Sequence, residues 1–316
     1  MTSKRIVIYR QGAIGDLVHT LALVKLIRER EPDARIEFCC DPVTVKLLEQ
    51  CCDYIDRVWS INKASFLEDF AKVGTSKTDE FIFLHTQWYK AWWLNLRYIK
   101  AKKLFCYKYN AKLSAVANYF TARYPELENE LTKDPYAVLD HRTLVKKNLD
   151  LLEYICIVPG VGKLRPHRAY PLTKWLEFIK TQIKNTNYQI KILGGPDEKD
   201  LSQELEAHFK QDPDLRGNHR IENLIGKTSL VELVSILAQT KMLYSADTGI
   251  LHIGAASGAN ITSIFSITDP ARFAPFSPDA KVLVSANCQC QLDSGRKKHC
   301  AKLKESYASC IWDISL

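Results

Sequence analysis

The chain has 316 residues, 46% of them hydrophobic, with 44 Lys and Arg against 36 Asp and Glu and a formal net charge of +8 at pH 7. That length suffices for two domains with cores of their own, and the composition is that of a globular protein, not a disordered or collagenous one. No long apolar run occurs and the first residues lead straight into a strand, so no membrane-spanning helix or secretory leader is expected; the ten cysteines are expected as thiols in a reducing cytoplasm.

Ile6 to Tyr9 reads as a buried strand, followed by the turn Arg10 to Gly15 (RQGAIG) and a helix that Asp16 opens. Leu17, Leu21, Val24 and Ile27 recur at helical spacing until Pro32, and Ile36 to Cys39 reads as the next strand. Strand, turn, helix and strand in that order predict an open parallel sheet. The turn lacks a full G-x-G-x-x-G, so it is not a dinucleotide fingerprint, and at a helix start Asp16 suits an N-cap. The adjacent pairs Cys39-Cys40 and Cys51-Cys52 suit neither chelation nor an easy disulfide and read as packing thiols.

From Phe81 to Tyr124 there is no Asp or Glu, while Lys90, Arg97, Lys100 and further basic residues alternate with Trp88, Tyr89, Trp92, Trp93 and other aromatics. Such a mixture suits a surface that meets an anionic bilayer or a phosphorylated glycolipid. The alternative is an amphipathic helix with Trp in the core and Lys outside; nucleic acid is not expected as a partner. A helix led by His141 and Arg142 then closes the first half, with a boundary near Leu152.

Tyr154 to Val158 starts a second sheet, and Pro159-Gly160-Val161-Gly162 turns into a basic loop with Lys163, Arg165, His167 and Arg168 before a helix containing Trp175. Tyr188 to Leu193 is a strand ending in Gly194-Gly195-Pro196-Asp197, where the glycines permit close approach of a ligand and Asp197 could cap a helix. Thr228 or Ser229 is placed to cap a helix through Leu237. Met242 to Ala246, Asp247, a helix from Thr248-Gly249 with Gly258 at its stop, and the run Ile261 to Ile267 form a strand–helix–strand unit. Its helix start offers free N–H groups to an anion, and Thr248 and His252 share one face; an ordinary βαβ element with Asp247 as N-cap is the alternative. Near the end, Cys288, Cys290, Cys300 and Cys310 form a C-x-C-x9-C-x9-C set that suits a structural zinc or iron, with free thiols as the alternative.

The run Asp247-Thr248-Gly249-x-x-His252, with Thr268-Asp269-Pro270-x-Arg272 after it, resembles the nucleotide-sugar signature of glycosyltransferase family 9, the lipopolysaccharide heptosyltransferases. Three further segments match that family in order, so the resemblance covers nearly the whole chain. It implies an α/β fold of GT-B architecture: two Rossmann-like domains facing an interdomain cleft, residues 1–152 for the acceptor and 153–316, with the Cys-rich segment, for the donor. Gly15, Asp16 and His19 match the family's opening motif. Asp16 would be the general base, because inverting transfer needs a carboxylate to take the acceptor's proton.

On the donor side the resemblance assigns Arg168 to the diphosphate (Lys163 and Arg165 are alternates), Asp197 to the ribose hydroxyls, and Asp247, Thr248, Gly249 and His252 to donor binding. His19, Lys90, Arg97 and Lys100 fall to the acceptor. No D-x-D pair sits at a strand end, and Asp53-x-x-Asp56 is not that motif, so catalysis without a metal or other cofactor is expected. The implied reaction moves a sugar, by analogy heptose from ADP-heptose, onto a lipopolysaccharide or lipooligosaccharide core. The protein would be cytoplasmic and peripheral at the inner membrane. Two other classes stay open. A 2-epimerase type of nucleotide-sugar enzyme would convert donor without acceptor, and a non-catalytic nucleotide- or carbohydrate-binding protein would show no turnover. Nothing in the chain fixes an oligomeric state.

Overall fold

The computed structural model describes residues 3–129, 138–140, 153–163, 166–277, 279–285, 303–304 and 307–316. The chain divides into two compact units, Met1–Thr143 and Leu144–Leu316. The helix expected from His141 and the boundary expected near Leu152 lie outside the described residues.

Unit 1 is a five-stranded parallel sheet with helices between the strands. Its strands are β1 (Arg5–Tyr9), β2 (Arg35–Cys40), β3 (Arg57–Ser60), β4 (Glu80–Phe83) and β5 (Lys103–Cys106), in the order β3-β2-β1-β4-β5. β1 and β4 are buried along their whole length, and after Arg5 and Glu80 their residues are continuously apolar and not alternating. The helices are α1 (Ile14–Arg30), α2 (Val45–Cys51), α3 (Phe66–Val73), α4 (Trp88–Leu94) and α5 (Ala115–Phe120). Tyr9, Phe70, Phe81 and Phe83 form the aromatic centre of a core on the α3–α4 side. Arg5, buried between strands, donates to Glu37 (2.7 and 3.0 Å), so this charge is paired and not stranded. Cys39, Cys40, Cys51 and Cys52 are all buried free thiols, as expected of packing residues, and burial pushes each of them up.

Helix α1 begins at Ile14 with Ala13 as N-cap, two residues before the expected start. Asp16 therefore lies in the first turn and caps nothing, so its side chain is available for other work. Of the two readings of the basic aromatic segment, the one with Trp in the core fails. Trp88, Trp92 and Trp93 are exposed, because Ala91 and Leu94 already occupy the inward face of α4.

Unit 2 is a six-stranded parallel sheet. Its strands are β6 (Tyr154–Val158), β7 (Gln189–Ile192), β8 (Ile221–Asn223), β9 (Leu243–Ala246), β10 (Ile261–Phe265) and β11 (Lys281–Val284), in the order β11-β10-β9-β6-β7-β8. Helices α6 (Leu172–Asn185), α7 (Lys199–Gln211), α8 (Leu230–Gln239), α9 (Gly249–Ala256) and α10 (Pro270–Phe273) connect them. Trp175 fills the core against Tyr170, whose hydroxyl donates to Ile314 O at 2.8 Å, and Ile311 and Ile314 bring the chain end into the same cluster. Ser229 caps α8 with a reciprocal bond from Glu232, as the capping-box pattern requires.

Both sheets reverse direction at an internal pair: β1 beside β4 in unit 1, β6 beside β9 in unit 2. In an open parallel sheet a ligand crevice opens at the carboxyl ends of the two strands where the order switches. Each unit therefore has one place where loop residues converge.

Candidate functional site

At the switch point of unit 1, Arg10 is the first residue beyond β1 and His85 the second beyond β4. Arg10 Nη1 donates to Leu84 O at 2.8 Å and stands 3.2 Å from His85 Nδ1, while Arg10 Nη2 lies 3.0 Å from Asp16 Oδ2. His85 Nε2 accepts from Gln11 N at 3.1 Å, which fixes the imidazole against the turn. Gly12 takes φ +120, open only to glycine at low cost, and donates its N–H to Asp41 Oδ2 at 2.6 Å. The Arg10 guanidinium also lies 5.5 Å from the centre of the Tyr119 ring.

The result is one carboxylate held by a guanidinium and a phenol, with 40% of its side chain still open. Burial, with the Asp16 charge beside it, pushes the Tyr119 phenol well up, so Tyr119 donates to Asp16 as a neutral hydroxyl. Burial, then the charge of Arg10, lowers His85 to about 4; Lys90 is near enough to add to the effect. At neutral pH His85 is an uncharged hydrogen-bonding group.

At the switch point of unit 2, Asp247 is the residue after β9 and is 5% exposed. Arg168 Nη1 pairs with Asp247 Oδ2 at 2.7 Å, and His252 Nε2 stands 3.6 Å from Oδ1, a long contact. Burial pushes Asp247 up, but His252, the Arg168 charge and the Thr268 hydroxyl together hold it below the usual carboxylate range. A buried ionised carboxylate thus fixes the guanidinium, of which the side chain remains 16% exposed. Thr248, not Asp247, caps α9: its Oγ1 accepts from Leu251 N at 3.3 Å. The first-turn N–H groups of Gly249 and Ile250 are left at the helix end, where an anion is favoured. Gly258 ends α9 at φ +78, as a glycine stop should.

Beside β6 and β7, two glycine turns face one acid. Glu198 Oε1 accepts from Gly162 N at 2.8 Å and Oε2 from Gly195 N at 2.9 Å. Cβ atoms at Gly160 or Gly194 would fall 2.1 and 2.6 Å from the same carboxylate, so both positions need glycine for close approach. Burial raises Glu198 above the usual carboxylate range, partly offset by those two N–H groups. The Gly160–Gly162 turn, Asp197, Glu198 and Trp175 are among the residues lining a cavity of about 460 Å3.

The structure brings together Arg168, Asp247, Thr248, Gly249 and His252 in unit 2. Asp197 lies apart from them, exposed on the cavity, and caps no helix. In unit 1 Asp16 lies in the cluster, whereas His19 is buried at 4% exposure, so it can act only through neighbours. Lys90, Arg97 and Lys100 are exposed. Arg165, Cys288, Cys290 and Cys300 lie outside the described residues, as does the side chain of Cys310; among the described residues no His/Cys/Asp/Glu group could hold a metal ion. Arg10, His85, Tyr119 and Glu198 were not expected. The first two sit where adjacent parallel strands end, and Glu198 stands three residues past Gly195 as the last member of a capping pattern. Those were their only signals.

The profile described as Glycosyltransferase family 9 (heptosyltransferase) matches residues 86–304. Lipopolysaccharide heptosyltransferase 2 of Salmonella typhimurium is 25% identical over 125 residues, 40% of this chain and 34% of that protein. The chain thus spans about a third of the length of the curated relatives it matches. Among solved structures, E. coli ADP-heptose lps heptosyltransferase II superposes with TM-score 0.75 at 17% identity, covering 99% of this chain and 95% of that one. E. coli heptosyltransferase WaaC with ADP gives TM-score 0.70 at 17% identity, covering 92% and 96%. At that identity the likeness establishes a shared fold.

Proposed function

The chain belongs to glycosyltransferase family 9, and we propose that it transfers a sugar, with inversion and without a metal ion, from a nucleotide-sugar donor to a core saccharide of lipopolysaccharide or lipooligosaccharide. The donor is heptose carried on ADP, by analogy with relatives named for that chemistry. The observation that carries the reading is the Arg168–Asp247–His252 group at the switch point of unit 2, beside the open end of α9.

In the proposed reaction the donor diphosphate lies against the N–H groups of Gly249 and Ile250 and accepts from Arg168. Asp247 acts as a positioning residue, holding Arg168 and His252 through its buried carboxylate. Gly160, Gly162, Gly194 and Gly195 let the backbone approach the nucleotide, and Asp197 reaches its ribose. The acceptor hydroxyl gives its proton to Asp16 as its oxygen attacks the anomeric carbon. The carbon–oxygen bond to the diphosphate breaks, and nucleoside diphosphate leaves with the electron pair. Arg168 and the helix end offset the charge that develops there, a task often given to a divalent ion. Arg10 and Tyr119 orient Asp16, and His85 orients Arg10.

The acceptor is a phosphorylated glycolipid, met by Lys90, Arg97 and Lys100, and the protein works at the cytoplasmic face of the inner membrane. Among the described residues no helix is long and apolar enough to cross a membrane. The test is a panel of nucleotide sugars, read for binding and for nucleoside diphosphate release with and without a lipooligosaccharide acceptor. Release that requires both ADP-heptose and acceptor supports the reading. Conversion of donor alone would assign an epimerase-type enzyme, and binding without turnover would assign a non-catalytic protein.

A further inference from the structure

The charge of this chain is not spread over it. Phe81 to Tyr124 holds eight Lys and Arg and no acid; outside it the chain has 36 Lys and Arg against 36 Asp and Glu, so the whole formal +8 resides in that segment. Within it α4 continues through a π-turn, Asn95–Ile99, as one helical stretch from Trp88 to Ile99. Ala91, Leu94 and Ile99 bury its inward face in the unit 1 core. The opposite face exposes Trp88, Tyr89, Trp92, Trp93 and Leu96 at 43 to 66% of their surface. Positions 88, 92 and 96 form one row and 89 and 93 the next, with Lys90 and Arg97 along the far border. Five large apolar side chains in one patch exceed the scattered exposure normal for a surface.

We infer that this face of α4 seats the protein on an anionic phospholipid surface, with the aromatic rows at headgroup depth and Lys90, Arg97 and Lys100 on lipid phosphates. Indole and phenol rings combine an apolar body with a polar edge and favour the interface over both water and hydrocarbon. The stretch is on the order of 18 Å long, too short to span a bilayer, and its buried inner face holds it in the plane of the surface. Among the described residues Lys90, Arg97 and Lys100 have no carboxylate partner within ion-pair distance, so their charge faces outward. A second copy docking here would bring like charges together, and lysine is depleted at protein interfaces. The inference deepens the glycolipid-acceptor reading above, yet membrane binding is measured without catalysis.

The test is co-sedimentation of the full chain with vesicles of phosphatidylcholine alone, or of phosphatidylcholine mixed equally with phosphatidylglycerol. Binding to the mixed vesicles only, with a blue-shifted Trp emission, is the expected result. Each cation near such a surface contributes roughly fivefold, so replacing Lys90, Arg97 and Lys100 by Gln should weaken binding about a hundredfold. Trp88→Ser with Trp92→Ser, both exposed and so harmless to folding, should weaken it at least tenfold while leaving turnover on a delipidated saccharide unchanged. Equal binding to neutral and anionic vesicles, or unaltered binding by either variant, overturns the inference. So does loss of a dimer in the Trp variant without any vesicle binding by the wild type, or capture of single-stranded nucleic acid in preference to vesicles. Vesicle binding by a protein that turns over no nucleotide sugar would refute the proposed function and leave this inference standing.

Discussion

Replacing Asp247 with Asn removes a buried charge and keeps its shape. Asp247 is 5% exposed, with Arg168 at 2.7 Å and His252 at 3.6 Å. Breaking a buried pair from one side costs about 3–5 kcal/mol when the partner is left fully enclosed. Arg168 keeps 16% of its side-chain surface and an Asn can still accept from Thr268, which places the expected loss lower, at about 2–3 kcal/mol. Denaturant unfolding of the two proteins across pH is the assay. In the folded protein burial pushes the Asp247 carboxyl up, but His252 and Arg168 hold it below its ordinary value. Its stabilisation is therefore complete above that ordinary value, near 3.8, and fades as pH falls through the folded one. The gap between wild type and Asp247→Asn should be constant around neutrality and narrow on acidification below about pH 4. Donor affinity should drop about tenfold, because the guanidinium loses its anchor. Equal stability at pH 7, or a gap that widens in acid, would refute this reasoning.

Glu198→Gln should cost about 1–2 kcal/mol, since an amide cannot accept from both Gly162 and Gly195. Because burial raises Glu198, wild-type stability should decline as pH rises from the ordinary Glu value of 4.5 through the folded one, and thermal melts of the Gln variant should lack that slope. Gly160→Ala should displace the same carboxylate and weaken donor binding in calorimetry, because the added carbon would lie 2.1 Å from Glu198 Oε1. In an NMR titration His85 should show a pKa of about 4, and Arg10→Ala should move it upward by removing a neighbouring positive charge. That depressed value predicts stability lost as pH falls from 6.5 toward 4, and the loss should shrink in Arg10→Ala.

The strand–turn–helix pieces were legible because parallel strands buried on both faces leave unbroken apolar runs: Ile6 to Tyr9 and Tyr154 to Val158 stand out without any structure. Asp247, Thr248 and His252 were legible because one short helix carries them. Arg10 and His85 were not, because sheet register, not sequence proximity, brings them together: Tyr9 pairs with Phe83 and so sets Arg10 beside Leu84 and His85. Tyr119 reaches the same place from helix α5, by tertiary packing that no local pattern encodes. The sequence leaves the cap of α9 open between Asp247 and Thr248, because both residue types cap helices. Only the pairing with Arg168 shows why the acid is needed elsewhere. Trp92 and Trp93 show the limit of hydrophobicity as a guide to burial: Ala91 and Leu94 fill the inner face, and the larger rings remain outside.

Asp16→Asn, assayed for nucleoside diphosphate release with acceptor present and for donor dissociation constant by calorimetry, tests the division of labour between the two units. Asn keeps the size and the Tyr119 contact but cannot take a proton. Turnover should fall by roughly 10²–10⁴-fold while donor affinity stays within about a factor of two. Turnover within a few fold of wild type would show that another group accepts the proton and that the chemistry does not centre on Asp16.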